Sequence, residues 1–574
     1  MTNLPELLAP AGSPEAMRAA VAAGADAVYF GGTLFNARMN AKNFSREDIS
    51  GAVSYCHERG VRVYVTFNTL IYDRELPQAL EYAEFLYRAG VDALIITDLG
   101  LSALLHEHLP DFPLHASTQL SGHNTDAARF LAERGFTRMV CARELSGESI
   151  ERLCADSPIE IEAFVHGALC VCHSGQCLLS SMIGGRSGNR GECAQPCRMP
   201  YNGGYPLSLK DNCLASHVTK LIASGVSSLK LEGRMKSPEY VYAVVSIYRK
   251  LLDERRDATP EELATLAKVF SREGFTDGYF TGRIGKQMLG VRTAEDKAAT
   301  AAVAAKKTAL QRNLPPVEIP AREHTIPKEV YADLKKKLSP IPAKKGENPL
   351  SARFYDPASI PDAPAYRGFF GKIYLPLEKF DPKKATGVLL PPVITDKEMP
   401  ALREALAAAK KAGATDLLVG NVGHLALARE SGLALHGDYR FNLTNRCAAA
   451  VIGALCEDIL LSPELILPQI RDIPGRRGAI VYGRIPVMTL EKPVGQARLK
   501  DRTGAEFPLL REGNRDIMFN SVPFYMADQQ SKLQSAALDR RHFLFSTEGR
   551  REVEYVIDCY RKGLTTKKPV RRIK

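Results

Sequence analysis

The sequence of 574 residues lacks the signatures of membrane insertion and of export. No stretch approaches the roughly 18 consecutive apolar residues that a membrane-spanning helix requires. The opening residues, M-T-N-L-P-E-L-L-A-P-A-G, contain no basic stretch followed by an apolar run, so they do not form a secretory signal. We therefore expect a cytoplasmic protein that makes no membrane contact.

The usual motifs of peptidases are also missing. A zinc metalloprotease needs H-E-x-x-H, in which two histidines on one helical face hold the metal beside a general base. The nearest approach, His106-Glu107-His108, has the wrong spacing, and no G-x-S-x-G nucleophile elbow is present. The residues themselves give little support to peptidase chemistry.

The twelve cysteines are distributed unevenly, and this is the most informative feature that is present. Cys213 follows closely after a loop that contains five of them: Cys170, Cys172, Cys177, Cys193 and Cys197. Crowded thiolates repel each other and oxidise readily, so such a group usually holds a soft metal ion or an iron–sulfur cluster. Redox or disulfide use is the main alternative, although a chain without an export signal favours free or metal-bound thiols.

The first half alternates short apolar strands with amphipathic helices. Helix-like stretches end at Gly24, Gly90 and Gly135, where helices commonly place a left-handed residue. Strand candidates occupy residues 7–10, 27–30, 61–67, 93–97, 113–117, 138–141, 161–165 and 228–231. Eight strand–helix units in series predict a parallel (β/α)8 TIM-like barrel, with a doubly wound open sheet as the alternative.

Polar residues follow most of these strands at their C-terminal ends, where barrels of this kind carry their chemistry. They are Asn68, Asp98, Gln119, Ser121, Glu144, His166, Lys230 and Glu232. The cysteine-rich loop follows the seventh strand and opens on the same rim. We therefore expect the functional site at this end of the barrel.

The second half repeats the first in a degenerate form. The stretch L-H-A-S-T-Q-L-S-G-H-N-T from Leu114 matches L-H-G-D-Y-R-F-N-L-T-N-R from Leu435, and the E-G-R turn at Glu232 recurs at Glu548. Four matches in the same order predict a second barrel-like domain over residues 350–574. In that copy Pro486 stands in place of Cys170, so the thiol ligands have been lost.

By the same comparison Pro523 stands roughly in place of Cys213. The two copies, residues 1–290 and 350–574, flank a segment rich in Ala, Lys and Pro over residues 291–349. This segment is predicted to be a partly helical, solvated linker, with a basic arm that contacts phosphates as the alternative. The C-terminal K-K-P-V-R-R-I-K carries the same two interpretations.

The formal net charge of +11 favours an anionic partner such as RNA. It does so only weakly by itself, because many basic proteins bind no nucleic acid.

Three stretches resemble one known family, the collagenase-like peptidase family U-32. They are the opening E-L-L-A-P-A-G-S-P-E-A-M, the segment H-G-A-L-C-x-x-x-S-G-x-C-x-x-S with G-R-S-G-N-R-G-E-C-A-Q-P-C-R, and L-E-G-R-M-K-S-P-E-Y-V. The resemblance implies an iron–sulfur enzyme that hydroxylates a pyrimidine of transfer or ribosomal RNA without oxygen, with prephenate as the oxygen donor. Peptidase activity, hydroxylation of a quinone precursor and non-catalytic RNA binding are the alternatives.

Position by position, the resemblance implies that the ligands of a [4Fe-4S] cluster are Cys170, Cys177, Cys193 and Cys213. Cys197 matches a ligand of a variant arrangement and is held in reserve. Zinc is the alternative metal, although the gaps between these cysteines are longer than those of common zinc knuckles.

We expect His166, Glu232 and Arg234 to act in catalysis, the first two by proton transfer near the metal. A dicarboxylate such as prephenate is expected to bind arginines, because guanidinium groups pair with carboxylates through two hydrogen bonds. The candidates are Arg186, Arg190, Arg198 and Arg234, for which salt bridges to Glu192, Glu232 or Glu239 are the structural alternative. Further candidates for substrate contact are Asn68, Gln119, Asn189 and Lys230.

Overall fold

The computed structural model describes residues 4–39, 41–301, 314–337 and 349–573. The predicted barrel is confirmed in the first half, because eight parallel strands pair in order and the last closes on both the first and the seventh. Barrel 1 consists of β1 (Glu6–Pro10), β2 (Ala27–Gly31), β3 (Arg62–Phe67), β4 (Ala93–Ile96), β5 (Leu114–Ala116), β6 (Phe136–Val140), β7 (Glu160–Gly167) and, after the short β8 (Asp211–Cys213), β9 (Ser228–Leu231).

Helices surround this barrel and cover the outer faces of its strands. They are α1 (Pro14–Ala22), α2 (Arg46–His57), α3 (Leu76–Arg88), α4 (Leu99–His108), α5 (Thr125–Ala132), α6 (Gly147–Asp156), α7 (Leu179–Gly184), α8 (Val218–Ala223), α9 (Pro238–Asp253), α10 (Pro260–Val269) and α11 (Gly278–Thr281). The glycines predicted to end helices, Gly24, Gly90 and Gly135, all have positive φ. A residue with a Cβ is strained in this conformation, so these positions favour glycine.

The strand β8 and the two-residue β10 (Phe275–Thr276) lie outside the barrel closure. β8 runs antiparallel to the end of β7, with Cys213 opposite His166, and β10 pairs with β8. These two strands extend the rim at which the chemistry was predicted.

The second half forms barrel 2, again with eight parallel strands in closed order. Its strands are β11 (Leu350–Phe354), β12 (Lys372–Pro376), β13 (Gly387–Leu389), β14 (Asp416–Val419), β15 (Ala434–Gly437), β16 (Asp458–Leu460), β17 (Arg477–Gly483) and β23 (Arg540–Phe545). Its helices are α14 (Pro364–Arg367), α15 (Met399–Lys411), α16 (Leu425–Ser431), α17 (Arg446–Gly453), α18 (Leu467–Asp472), α19 (Gln530–Ser535) and α20 (Arg550–Lys562).

Strand register refines the match between the two copies. The short β22 (Phe524–Tyr525) runs antiparallel to β17 with Tyr525 opposite Tyr482, as Cys213 lies opposite His166 in barrel 1. The position of Cys213 is therefore taken by Tyr525, two residues beyond the proline that the sequence comparison indicated.

A four-stranded antiparallel sheet is inserted into barrel 2 between β17 and β22. It consists of β18 (Pro486–Leu490), β19 (Arg498–Lys500), β20 (Glu506–Glu512) and β21 (Arg515–Phe519), in the order β18-β21-β20-β19. This insertion occupies the chain position that the cysteine-rich loop occupies in barrel 1, and the two segments meet in space.

The barrels pack against each other through equivalent surfaces. Asn124, the N-cap of α5, donates to the carbonyl oxygens of Ile394 and Gly423 at 2.8 and 3.1 Å. Its counterpart Asn445, the N-cap of α17, donates to the carbonyl oxygen of Ile71 at 2.9 Å in the opposite direction. The repeat therefore builds a pseudo-twofold interface inside one chain.

Two equivalent glycines let the barrels approach closely at this interface. A Cβ atom at Gly100 would collide with the backbone nitrogen of Ala448, and one at Gly423 would collide with the side chain of Asn124. One large apolar cluster runs through both barrels, and smaller clusters fill their interiors.

The described part of the predicted linker packs on barrel 1. The first part of the linker forms α12 (Ala294–Ala301). Its later helix, α13 (Lys328–Lys335), lies against α3, and the Tyr331 hydroxyl there donates to Glu84 at 2.6 Å. The buried side chains of Ile326 and Leu334 anchor the same stretch. The lysine pairs at 306–307 and 344–345 lie outside the described residues.

The predicted basic tail is docked on the second barrel. Lys568 pairs with Glu552 at 2.9 Å and Arg572 pairs with Asp528 at 2.5 Å. Within the described ranges, no helix is both long enough and apolar enough to cross a membrane.

Barrel 2 contains a buried ionic network that generates a pH prediction. Burial opposes ionisation of Asp458, but His436 and Arg540 lower its pKa from 3.8 to about 2. Because the folded-state value lies below the unfolded one, this stabilisation is complete above about pH 4 and is lost as the pH falls toward 2. Asp458→Asn should lower the free energy of unfolding by about 3 kcal/mol near neutral pH, because it leaves the buried Arg540 guanidinium without its carboxylate, whereas His436 keeps Asp416.

Urea unfolding followed by circular dichroism at several pH values measures this difference. The difference in free energy of unfolding between parent and variant should become smaller below pH 4. Asp362→Asn is the matched control, because Asp362 also pairs with an arginine but is exposed. If this difference stayed constant between pH 7 and pH 2.5, the lowered pKa of Asp458 would be contradicted.

Candidate functional site

The cysteine-rich loop leaves β7, runs across the rim of barrel 1 and returns as β8. It is held from the far side by β18 of barrel 2. The backbone nitrogen of His173 donates to the Thr489 carbonyl at 2.8 Å, and that of Leu178 donates to the Val487 carbonyl at 2.9 Å. Cys172 forms an antiparallel bridge with Leu490 next to the first of these bonds. Both barrels therefore fix the position of the thiols.

The five thiols of this loop influence one another electrostatically. Burial and the neighbouring Cys177 raise the pKa of Cys170 to about 12. Burial and then Cys170, with smaller effects of Cys177 and Cys193, raise the pKa of Cys197. A hydrogen bond from Cys172 lowers the pKa of Cys177, which favours its thiolate. All twelve cysteines are free thiols, as metal ligation requires.

Cys213, the fourth ligand that the resemblance implies, lies apart from these five. Its sulfur lies 3.9 Å from the Tyr248 hydroxyl, and burial raises its pKa to about 11. No cysteine of the described ranges contributes to this shift. The structure thus groups Cys197 more closely than Cys213 with the other candidate ligands.

The thiols are spaced more widely than in a zinc tetrathiolate. Zinc–sulfur bonds of about 2.3 Å in a tetrahedron place the sulfurs about 3.8 Å apart. Within the described residues, the one group of three metal-donor atoms lying within 4.8 Å of one another contains no cysteine. Thiol donors in an open arrangement suit a cluster better than a single zinc ion.

A pocket of positive charge adjoins the thiols and surrounds Glu232. Arg38 and Arg143 approach this carboxylate at 3.4 and 3.7 Å. Arg234 is buried beside them, where it donates to the Thr66 hydroxyl at 2.8 Å. Burial opposes ionisation of Glu232, but Arg38, Arg143 and Arg234 together lower its pKa. Three guanidinium groups thus share one carboxylate, which leaves capacity for a second anion.

Electrostatic coupling links the pocket to the thiols. Burial raises the pKa of Cys170, and Arg143 lowers it. The pKa of Arg38 is raised mainly by Glu232, and Cys193 and Cys170 add to this effect. The sequence reasoning missed Arg38 and Arg143. A signal was available for Arg143, which directly precedes Glu144 at the end of the sixth strand.

His166 lies behind the pocket, buried and uncharged. Burial, with Lys236 as a smaller cause, lowers its pKa to about 3. Its Nδ1 atom lies 3.5 Å from the Tyr248 hydroxyl, and its ring meets that of Phe275 edge-on. The imidazole is therefore neutral at physiological pH and is only a weak base.

Several predicted substrate residues are already engaged by protein groups. Lys230 pairs with Glu162 at 2.5 Å, and Arg190 pairs with Glu75 at 2.6 Å. The remaining contacts are those of Asn68 with the Ala37 nitrogen, Asn189 with Glu464, Arg198 with the Leu169 carbonyl and Arg186 with the Glu192 carbonyl. The predicted salt bridges to Glu192, Glu232 or Glu239 are not formed by Arg190, which pairs with Glu75 just before α3, or by Arg198, which binds backbone oxygens.

Gln119 differs from these, because its buried Oε1 atom has no hydrogen-bond partner within the described residues. It lines a cleft between the barrels together with Asp98, Asn189, Asn421 and Arg440. This side chain remains available to a ligand that enters from the interface.

The family model for peptidase family U32 matches residues 12–289, and curated relatives match about half of this chain. The tRNA hydroxylation protein P1 of Bacillus subtilis is 37% identical over 50% of this chain and 74% of its own length. The chain belongs to the peptidase U32 family. The resemblance predicted from the sequence is confirmed, and barrel 1 is the U32 barrel.

Two further relatives of the U32 barrel carry different names. The 23S rRNA 5-hydroxycytidine C2501 synthase of Escherichia coli is 42% identical over 48% of this chain, and the match covers only 42% of that protein. The collagenase of Porphyromonas gingivalis is 36% identical over 49% of this chain and 75% of its own length. A solved U32 peptidase, Mk0906, shares 15% identity at a TM-score of 0.26, covering 29% of this chain and 71% of that chain.

The shared carboxylate generates a stability prediction for the U32 barrel. Glu232→Gln removes the anion that three guanidinium groups surround, so the free energy of unfolding should fall by about 3 kcal/mol. Added dicarboxylate anions should raise the melting temperature of this variant more than that of the parent. Glu192→Gln, an exposed carboxylate in the cysteine-rich loop, is the control. Equal stability of Glu232→Gln and the parent would contradict the charge assignment.

Proposed function

We propose that this protein hydroxylates a pyrimidine of transfer or ribosomal RNA at the rim of the U32 barrel. The observation that carries the proposal is the group of free thiols held against a cationic pocket in a barrel whose relatives include RNA-hydroxylating proteins. An enzyme of this class needs a redox-active centre, an anion site and a surface for a large polyanion. Each has a candidate in the described residues.

The proposed redox centre is a [4Fe-4S] cluster on Cys170, Cys177 and Cys193. The fourth ligand is Cys213 by resemblance to the family, and Cys197 is its competitor by proximity. When bound, such a cluster supplies one-electron transfer. The chain's own contribution is to hold the ligands, because β18 fixes both ends of the segment that carries Cys172 and Cys177.

The proposed oxygen donor is prephenate or another small dicarboxylate, bound by Arg38, Arg143 and Arg234. Charge-assisted hydrogen bonds from paired guanidinium nitrogens suit planar carboxylates. Glu232 would then hold the arginines in place and accept a proton from the substrate, because it is ionised. His166 is too buried to contact the RNA directly. In this scheme it is a neutral hydrogen-bonding residue behind the rim.

A macromolecular substrate is supported by the surface around the rim. Nine large apolar side chains are exposed among the described residues, and five of them lie in loops that follow barrel 1 strands. They are Met39, Ile183, Met199, Tyr205 and Met235. Exposed apolar and aromatic groups beside arginines form a surface on which unpaired bases can stack.

The first test of the proposal measures modified nucleosides by mass spectrometry of total RNA. A deletion strain should lose a hydroxylated pyrimidine, and the intact gene should restore it. Arg234→Met should restore it at least about tenfold less well, since a lost charged hydrogen bond costs about 1.5–3 kcal/mol. Arg283→Met, which alters an exposed arginine of the same barrel, should restore it fully.

The opposite outcome would support the peptidase alternative. That outcome is unchanged RNA together with gelatin cleavage that co-purifies with the parent and disappears in Arg234→Met.

The second test concerns the metal. Protein purified without oxygen should be brown and contain about four iron and four sulfide ions per chain. Cys170→Ala, Cys177→Ala and Cys193→Ala should each abolish the colour, whereas Cys172→Ala should retain it. Comparison of Cys197→Ala with Cys213→Ala identifies the fourth ligand. Colourless protein with stoichiometric zinc bound to these thiols would overturn the cluster.

A further inference from the structure

A second group of metal-donor atoms lies beside the cysteine-rich loop and contains no sulfur. It comprises His123 from the segment before α5, Glu144 from the end of the sixth strand and His173 from the loop. The Nε2 atom of His123 lies 3.2 Å from Nδ1 of His173. The Glu144 Oε2 atom lies 3.9 and 3.8 Å from these two nitrogens. All three residues are buried, with exposures of 3%, 7% and 2%.

The hydrogen bonds of the outer ring nitrogens fix the tautomers of both histidines. Nδ1 of His123 lies 2.7 Å from the carbonyl oxygen of Ser121, which can only accept, so this nitrogen carries the proton. Nε2 of His173 lies 2.9 Å from the carboxylate of Glu491 and must likewise donate. When each ring carries only this outer proton, the unprotonated nitrogens of the two rings face each other.

In that state two lone pairs lie 3.2 Å apart beside a carboxylate and repel each other unless a proton or a metal ion lies between them. The Glu144 carboxylate accepts from the Ser174 hydroxyl at 3.2 Å, and within the described residues no lysine or arginine nitrogen approaches it within 4.0 Å. The group thus combines three inward-facing acceptors with little positive charge.

From this geometry we infer that His123, Glu144 and His173 bind a divalent transition-metal ion, with Zn²⁺ as the first candidate. Two nitrogens bound to zinc at about 2.05 Å in a tetrahedron lie about 3.3 Å apart, close to the observed separation. The Ser121 carbonyl and Glu491 occupy the outer positions that orient metal-bound histidines in proteins.

The ion would have a structural role, because its three ligands are buried and come from separate segments. His123 and Glu144 belong to the rim of barrel 1, whereas His173 lies in the loop between Cys170 and Cys177. Glu491 belongs to barrel 2 and is itself held by Arg515 at 2.8 Å. One ion would therefore fasten the cysteine-rich loop to both barrels, independently of any cluster on the thiols.

The experiment uses the full chain with Cys170, Cys177 and Cys193 replaced by Ala, so that iron on the thiols cannot mask the result. Purified with Zn²⁺ and then desalted, it should retain about one zinc ion per chain, measured by inductively coupled plasma mass spectrometry. His123→Gln, His173→Gln and Glu144→Gln should each reduce zinc by about tenfold or more. His217→Gln is the control, because His217 pairs only with Asp277 elsewhere in barrel 1.

Cobalt provides a readout that does not depend on the variants folding well. Co²⁺ bound by the triple-alanine parent should show weak visible d–d bands without the ultraviolet charge-transfer band of thiolate ligation. The proposal is overturned if this parent binds neither ion, which would mean that a shared proton bridges the histidines. It is overturned equally if His123→Gln and His173→Gln retain zinc, or if a thiolate band shows that other cysteines bind the cobalt.

Discussion

The pairing of the cysteine-rich loop with β18 is the contact on which the site depends. A loop of this length, rich in glycine and small polar residues, has a large conformational entropy when it is free. Its backbone bonds to Thr489 and Val487, with the bridge between Cys172 and Leu490, hold its centre against the edge of a sheet that belongs to the other barrel. The thiols and His173 take their positions from this pairing.

The pseudo-twofold interface gives barrel 2 a role although it lacks the cysteine-rich loop. Equivalent asparagines cap equivalent helices on both sides and donate across the interface in opposite directions. This packing carries the inserted sheet to the mouth of barrel 1. The two barrels therefore differ at one matching position. Barrel 1 has the cysteine-rich loop there, and barrel 2 has the inserted sheet that holds this loop.

Much of the fold could be predicted because the sequence shows it as local periodicity. The eight strands of barrel 1, the glycines at helix ends and the repeat all follow from patterns within about fifteen residues of sequence. The arginine pocket could not be found in this way, because Arg38 lies in a loop and meets Glu232 only through barrel closure. His123 and His173 are fifty residues apart and share no motif spacing.

Composition also left out where the linker docks, for a related reason. Alanine, lysine and proline indicate a solvated chain, yet Ile326 and Leu334 are enough to anchor the described part on barrel 1. Two buried side chains carry little weight in an average over sixty residues. For Cys213, the linear family pattern and the spatial grouping disagree, and only a direct comparison of variants separates them.

Because β18 and the cysteine-rich loop belong to the same polypeptide, their association is an intramolecular equilibrium. Two separate barrels meeting through such a surface would lose the supporting strand on dilution, whereas covalent linkage keeps its effective concentration constant. Only one of the two mouths in this molecule carries a cysteine-rich loop. The chain is thus an asymmetric pair with one reaction centre, whose integrity does not depend on how much protein the cell contains.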